Sequence, residues 1–491
     1  MKLSRLALAA AAVAAAPAFA ATGSLQTLYG VAPADTVFIS GASALSGSLN
    51  NVVAANCTGG ATNVKTLTIG GSTSDGRVTV CTSNSTGGSP FAGPFAVVKR
   101  DTNGSFDGVG PVISQTGLQT WADISNCDST ALTCALDSTT VRVPNAGLTD
   151  VDTNVWVGMA NTGALSIPVP TPTSTVLSGG FAGQGFGVMV SESLYNAMMA
   201  KQKTEGSLSA SCVANNFTAG ACQPSISKAE YAAVVDGGNV AFVANGALSG
   251  DAGVINLCRR VETSGTQATS NVVFLNNSCG NANPTLGFKN PKSVDFLNSP
   301  TAVAFSSANG NAVTGNYDDF GGAFGLFEGS GTGDARNCVI RRNTGNNPNN
   351  VADALGNYAI GWISLENAPA SGWKYLKLDG VSPNAFQVVV GSAADTAGGG
   401  APDGWAQDAT QRVNVVKALY DAAPELEMLW PSSTPFSAFL TNLKNTFASP
   451  NAVNTRGIFQ ANGTFSHAAF PAQVHRGTRG GNFCSPQVLA E

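Results

Sequence analysis

The sequence predicts an α/β protein, and three observations carry that prediction. Short β-branched or aromatic runs are repeatedly followed by apolar residues at helical spacing. Apolar residues make up 43% of the 491, enough for sizeable cores, while charged residues are only 11%, less than half the usual quarter. No period of 20–50 residues recurs, which excludes a solenoid. The 57 glycines and 23 prolines stay short of a disordered composition. A formal net charge of −5 excludes a nucleic-acid binder held by bulk electrostatics.

In chain order, residues 1–20 read as a cleaved export signal. Lys2 and Arg5 form a basic start, Leu6 to Ala16 an apolar run short for a bilayer, and Ala18-Phe19-Ala20 the small-x-small pattern of a cleavage site. No cysteine follows, which argues against a lipid anchor. No later run approaches 18 uninterrupted apolar residues, so no membrane insertion is expected after cleavage. All ten cysteines lie beyond this segment, an even number that in an oxidising compartment predicts five disulfides. Cys127 with Cys134 and Cys212 with Cys222 are spaced to close small loops, and Cys57 and Cys81 flank a hairpin-like Gly-Thr stretch. A Cys-x-x-Cys pair that would favour zinc is absent. Spacing leaves the full connectivity open.

Asp35 to Ser40 (DTVFIS) reads as a strand ending in Gly41-Ala42-Ser43-Ala44, and Leu45, Leu49, Val52 and Val53 continue at helical spacing. Phe95 to Lys99 reads as a second strand, entering the glycine-rich loop 103–110. Phe186 to Val190 precedes a helix over SESLYNAMMAKQ. Residues 254–261 (VINLCRRV) form a buried strand, after which Ser264-Gly265-Thr266 opens a helix carrying Val272, Val273 and Leu275. Tyr358 to Leu365 and Phe386 to Val390 are further strands, and residues 393–403, rich in Ala, Gly and Pro, read as a linker or long loop. Twice, then, a strand enters a Ser-Gly turn and passes straight into a helix, at 38–44 and at 257–266. Each such turn gathers free backbone N–H groups and the positive end of a helix dipole, and two facing each other would cage an anion.

The second turn in full, Arg259-Arg260-Val261-Glu262-Thr263-Ser264-Gly265-Thr266, resembles the RRxDGSGT signature of the phosphate-binding proteins that serve high-affinity phosphate ABC transporters. The family's TGAGATF turn resembles residues 40–46, its GSSGGV loop residues 104–109, and its DFGASD turn residues 145–150. Its late strand GAIGYVEY resembles residues 357–365, and TKLISADGKPVSP resembles LKLDGVSPN at 376–384. The pieces occur in the family's order. The resemblance implies a distant member of the type II periplasmic binding-protein superfamily, with two α/β lobes and a ligand cleft between them. Lobe 1 would take residues 22–185 plus 395–491, and lobe 2 residues 186–394.

Residue by residue, the resemblance implies that Arg260 forks onto two phosphate oxygens and that Glu262 orients it. Ser264, Gly265 and Thr266 would donate N–H and hydroxyl groups, and Asp150 would accept the proton of hydrogen phosphate. Ser105 matches the serine of the GSSGG loop. In the first loop, Ser43, Ala44 and Leu45 complete the ligand set, with Leu45 standing where the family has a threonine and able to give only its N–H. Asp107, an extra carboxylate beside an anion, would be unfavourable unless it points away. The implied role is capture of an inorganic oxyanion, phosphate first; an ABC permease is the partner the resemblance suggests, with delivery, sensing and lost binding all open from the sequence. No cofactor, no metal and no chemistry are expected.

Two other classes compete. Low charge, several disulfides and many Ser, Thr, Gly and Asn also suit a secreted surface or adhesive protein that reuses the fold without transport. A secreted phosphatase-like hydrolase is the weaker alternative: only His467 and His475 exist as bases, and neither a G-x-S-x-G elbow nor a metal-type carboxylate cluster is present. Residues 101–107 place oxygens at alternate positions, as the start of a calcium loop does, but Val112 stands where position 12 needs an acid.

Overall fold

Three parallel strands form the centre of each of two sheets, and their ends face one another. The computed structural model describes residues 22–85, 89–156, 174–178, 180–217, 220–237, 255–275, 303–305, 315–318, 325–367, 369–383, 420, 422–448, 458–459, 473–476 and 487–490. In the first sheet Pro94–Arg100, Thr36–Gly41 and Ala146–Thr149 run parallel, with Glu425–Pro431 antiparallel beside them. In the second, Leu326–Gly329, Ile255–Arg260 and Tyr358–Ser364 run parallel, with Phe186–Ser191 antiparallel. Among the described residues the first sheet has 12 strands and the second 7. The class expected from the sequence, a two-lobed α/β protein, is the architecture observed.

Each trio is built by the same local chemistry. Val37 and Ile39 face one side of their strand and join Leu45, Leu49, Val52 and Val53 of the helix Ser46–Ala54 in one core. Phe91, Phe95 and Phe439 close that core edge to face and stacked, with Phe91 and Phe95 4.6 Å apart. In the second lobe Ile255 and Leu257 pack with Phe274 and Leu275 of the helix Gly265–Leu275, beneath Trp362. The lobes also touch directly: Phe106, Val109, Val151, Val155 and Trp156 of the first pack with Ala268 of the second.

Among the described residues the chain crosses between lobes at two places, side by side. Gln184 N–H donates to Pro424 O at 2.9 Å and Phe186 N–H to Ala422 O at 3.0 Å. The outgoing crossing therefore lies at Gln184–Phe186. The return lies between Ala422 and Glu425, because Tyr420, Ala422 and Ala423 still pack in the second core. These residues thus belong with the second lobe, beyond the 394/395 boundary expected from the sequence. Phe386 to Val390, residues 393–403, His467 and residues 1–20 lie outside the described residues.

Four disulfides are present among the described residues. Cys57–Cys81 ties the end of the 46–54 helix to the strand Ser72–Thr82, and Cys127–Cys134 and Cys212–Cys222 close short loops. Cys258–Cys338 spans 80 residues and bolts the strand that ends in Arg260 to the helix Thr332–Asn343. Cys279 and Cys484, which a fifth bridge would need, lie outside the described residues. Among the described residues no helix is long and apolar enough to cross a membrane.

Candidate functional site

All six parallel strands deliver their carboxyl ends to the junction between the lobes, where open α/β sheets place ligands. Gly41 leads to Ser43, Arg100 to Ser105, and Thr149 to Asp150. From the other side Arg260 leads to Ser264–Thr266, and Gly329 to Thr332. The first lobe fits this closely because it uses glycine where its turns meet: a Cβ on Gly108 would stand 2.9 Å from Leu148 C and 3.0 Å from Gly41 Cα.

Arg260 lies in the centre, 1% exposed. Its Nε donates to Gly329 O at 3.2 Å and its Nη2 to Ser330 O at 2.7 Å. Its Nη1 donates to Thr332 Oγ1 at 2.9 Å and, across the cleft, to Ser43 Oγ at 3.2 Å. Glu262 does not orient this arginine. The 329–330 carbonyls do, because they end the neighbouring parallel strand and lie level with the guanidinium. The adjacent Arg259 points to the other face of the strand and pairs with Glu328 at 2.8 Å. Burial pulls the Arg260 pKa down to about 10, against the opposing fields of Asp334, Asp150 and Asp101.

Asp150 is buried and accepts a hydrogen bond from Ser105 Oγ. Its carboxyl lies against Gly265, at the first turn of the 265–275 helix: a Cβ on Gly265 would stand 2.7 Å from Asp150 Cγ and 2.6 Å from Ser105 Oγ. Burial pushes the Asp150 pKa up, while the Ser105 hydrogen bond and the charges of Arg260 and Lys99 pull it down. The backbones close the same seam, with Phe106 N–H donating to Thr263 O at 3.0 Å. Thr266 is buried one residue further on, and its hydroxyl has no hydrogen-bond partner among the described residues.

The two cations beside them are paired. Lys99 pairs with Asp101 at 2.6 Å, and Arg100 with Asp107 at 2.5 Å. Asp107 thus faces a cation and Asn103 rather than the cleft, and Asp101 and Asp107 serve ion pairs instead of a calcium loop. Arg260 and Asp150 stand outside these ion pairs, and both face the same junction.

The structure brings together Ser43, Ser105, Asp150, Arg260, Ser264 and Gly265, with Thr266 adjoining. Leu45 is corrected: its side chain is in the first core and its N–H donates to Ala42 O at 3.2 Å, so it is turned away from the cleft. Ala44 sits in the same tight turn, where its carbonyl accepts from Gln184 Nε2 at 3.2 Å. Sequence reasoning missed Ser330 and Thr332. A signal existed, since Gly329-Ser330-Gly331-Thr332 is a third Ser-Gly turn between a strand and a helix.

Comparison with known proteins adds little. No family model matches the chain, and no curated protein matches it. One solved structure that does align is described as a phosphate ABC transporter substrate-binding protein with bound phosphate, assigned as such, from Clostridium perfringens. It is 10% identical, covers 87% of this chain and 100% of its own, and has a TM-score of 0.40. A likeness at that level carries no argument about ligand, and the architecture above rests on the strand order itself.

Proposed function

We propose that the chain is an exported solute-binding protein that captures an inorganic oxyanion, phosphate first, between its lobes and does no chemistry on it. The observation that carries this reading is the isolation of Arg260. It is a buried guanidinium with no ion-pair partner among the described residues, held by carbonyls and hydroxyls at the meeting point of strand ends and helix starts. Such a charge is costly to bury unless an anion completes it. Helix first turns at Ser264–Thr266 and Thr332 supply oriented N–H groups, Thr266 adds a hydroxyl with no partner among the described residues, and Asp150 supplies an acceptor for a protonated oxygen. Closure of the two lobes about the paired crossings would bury the ion. The four disulfides support an oxidising compartment, and residues 1–20 retain their reading as an export signal. Delivery to an ABC permease completes the reading.

Calorimetric titration of the chain without residues 1–20 tests it. Wild type should bind phosphate. Arg260→Ala should weaken binding by about 2–5 kcal/mol, some thirtyfold to several thousandfold. Arg260→Lys should remain poor, because an ammonium cannot bridge two oxygens. Circular dichroism of both variants checks that the fold is kept. Unchanged affinity in Arg260→Ala would sink the site.

A further inference from the structure

The strand Tyr358–Ser364 is the sixth to end in the cleft, and two residues beyond it stands Glu366, which belongs to none of the expected ligand positions. Its carboxylate accepts the backbone N–H of Ser48 at 3.1 Å and also that of Gly47, in the first turn of the 46–54 helix. That helix belongs to the first lobe and Glu366 to the second. Gly47 is moulded to the contact: a Cβ there would collide with Glu366 Oε1 and stand 3.6 Å from Cδ. The 46–54 helix has no side-chain cap and no acidic residue in its first turn. By contrast, Ser191 caps the helix Glu192–Thr204, and Asp334 serves the start of the helix Thr332–Asn343. Glu366 therefore supplies from across the cleft what other helices receive from their own segment.

We propose that Glu366 is a positioning residue for closure, a carboxyl latch through which the second lobe grips the start of the 46–54 helix and holds Ser43 over the anion site. The effect on affinity rests on the solute-binding reading; the latch itself is a property of the ligand-free chain. Its charged surroundings are few. Arg77 of the strand Ser72–Thr82 lies near, its Nη1 3.7 Å from a Cβ on Gly47, and Asp101 approaches from the end of the strand Pro94–Arg100. Arg336 of the 332–343 helix is turned to Asn367 at 3.3 Å. Burial pushes the Glu366 carboxyl up to about 8, with Arg77 and the two N–H groups opposing and Asp101 adding to the rise. An opened, solvated Glu366 returns towards 4.5, so closure takes up a proton in between. The latch is strongest at the acid end of that window and weakens as pH rises towards 8.

Hydrogen exchange over residues 46–54, corrected for intrinsic rate and run without ligand at pH 6 and 9, tests the latch, with phosphate titration alongside. Glu366→Ala should raise exchange of this segment and weaken phosphate binding by about tenfold each, one buried hydrogen bond's worth. Glu366→Gln keeps an acceptor oxygen and stays neutral. It should preserve protection and make it the same at both pH values, while wild type loses protection at pH 9. Wild-type exchange in Glu366→Ala, or a wild-type pH profile in Glu366→Gln, overturns the proposal. If no variant binds phosphate, the exchange arm still decides the latch, and the loss falls on the oxyanion reading alone.

Discussion

Alanine at Gly265 should damage this protein, whereas alanine at Gly333 should help it. Both glycines lie in the first turn of a helix. At Gly265 the new Cβ would overlap the Asp150 carboxylate and stand 2.6 Å from Ser105 Oγ. Asp150 is 2% exposed and already bonded to Ser105, so it has no solvent to swing into. Overpacking a tight site costs about 1–3 kcal/mol. Breaking a hydrogen bond to a charged group costs about 1.5–3 kcal/mol more. Alanine's better helix propensity returns at most about 1 kcal/mol. The expected net loss is about 1.5–5 kcal/mol, with phosphate affinity falling as Asp150 is displaced. At Gly333 a Cβ would meet, among the described residues, Arg336 Nη2 alone, at 4.0 Å, so the propensity gain of up to about 1 kcal/mol remains. Urea unfolding of the two variants, with phosphate titration of each, measures both terms. If Gly265→Ala unfolds within about 0.5 kcal/mol of wild type, as an indifferent surface substitution does, then Asp150 is not locked against the helix and the packing argument fails.

Removing the Cys258–Cys338 bridge as a double alanine variant should cost about 4.5 kcal/mol by the chain-entropy estimate for a loop of this length, and should weaken anion binding because the bridge aligns Arg260 with Thr332; chemical denaturation and titration check the two effects. Glu427 is buried beside Asp152, and burial together with that like charge holds its pKa well above the usual 4.5. The folded state therefore keeps a proton that the unfolded chain has released above about pH 4.5, so this group's contribution to stability falls as pH rises from there. In Glu427→Gln that fall should vanish, so the variant's melting temperature relative to wild type rises between pH 5 and pH 8; a pH-independent difference would refute it.

The units most legible in the sequence were those whose signals are local. Ser40 to Val53 and Cys258 to Leu275 each show a β-branched run, a Ser-Gly turn and helical spacing within about twenty residues, and both fold as read. Arg260 and Asp150 became candidates through a resemblance, and the structure sets them at one junction. What stayed hidden depends on distant partners. Glu366 carries no local mark, because its meaning lies in the N–H groups of Gly47 and Ser48 in the other lobe. Leu45 was read as a donor because its neighbours resemble a binding loop, yet a leucine at a core-facing position buries its side chain first. Glu262 lost its expected role to two backbone carbonyls, which no residue pattern announces. The return crossing at 422–425 was masked by the glycine-rich composition upstream, which announces a turn but not which lobe owns it.

If Arg260 and Asp150 form a site for a protonated oxyanion, competition between phosphate and sulfate reveals it most directly. Arg260 and helix-start N–H groups accept both ions. An ionised Asp150 accepts the proton of hydrogen phosphate and repels a bare sulfate oxygen. Calorimetry of wild type and Asp150→Asn with both ions should give a wild-type preference for phosphate of at least about tens-fold, on the order of 2 kcal/mol. That preference should narrow in Asp150→Asn, where a donor replaces half of the carboxylate. Equal binding of the two ions by wild type, or a ratio untouched in Asp150→Asn, would rule out a protonated-oxyanion site and leave Asp150 as a buried partner of Ser105.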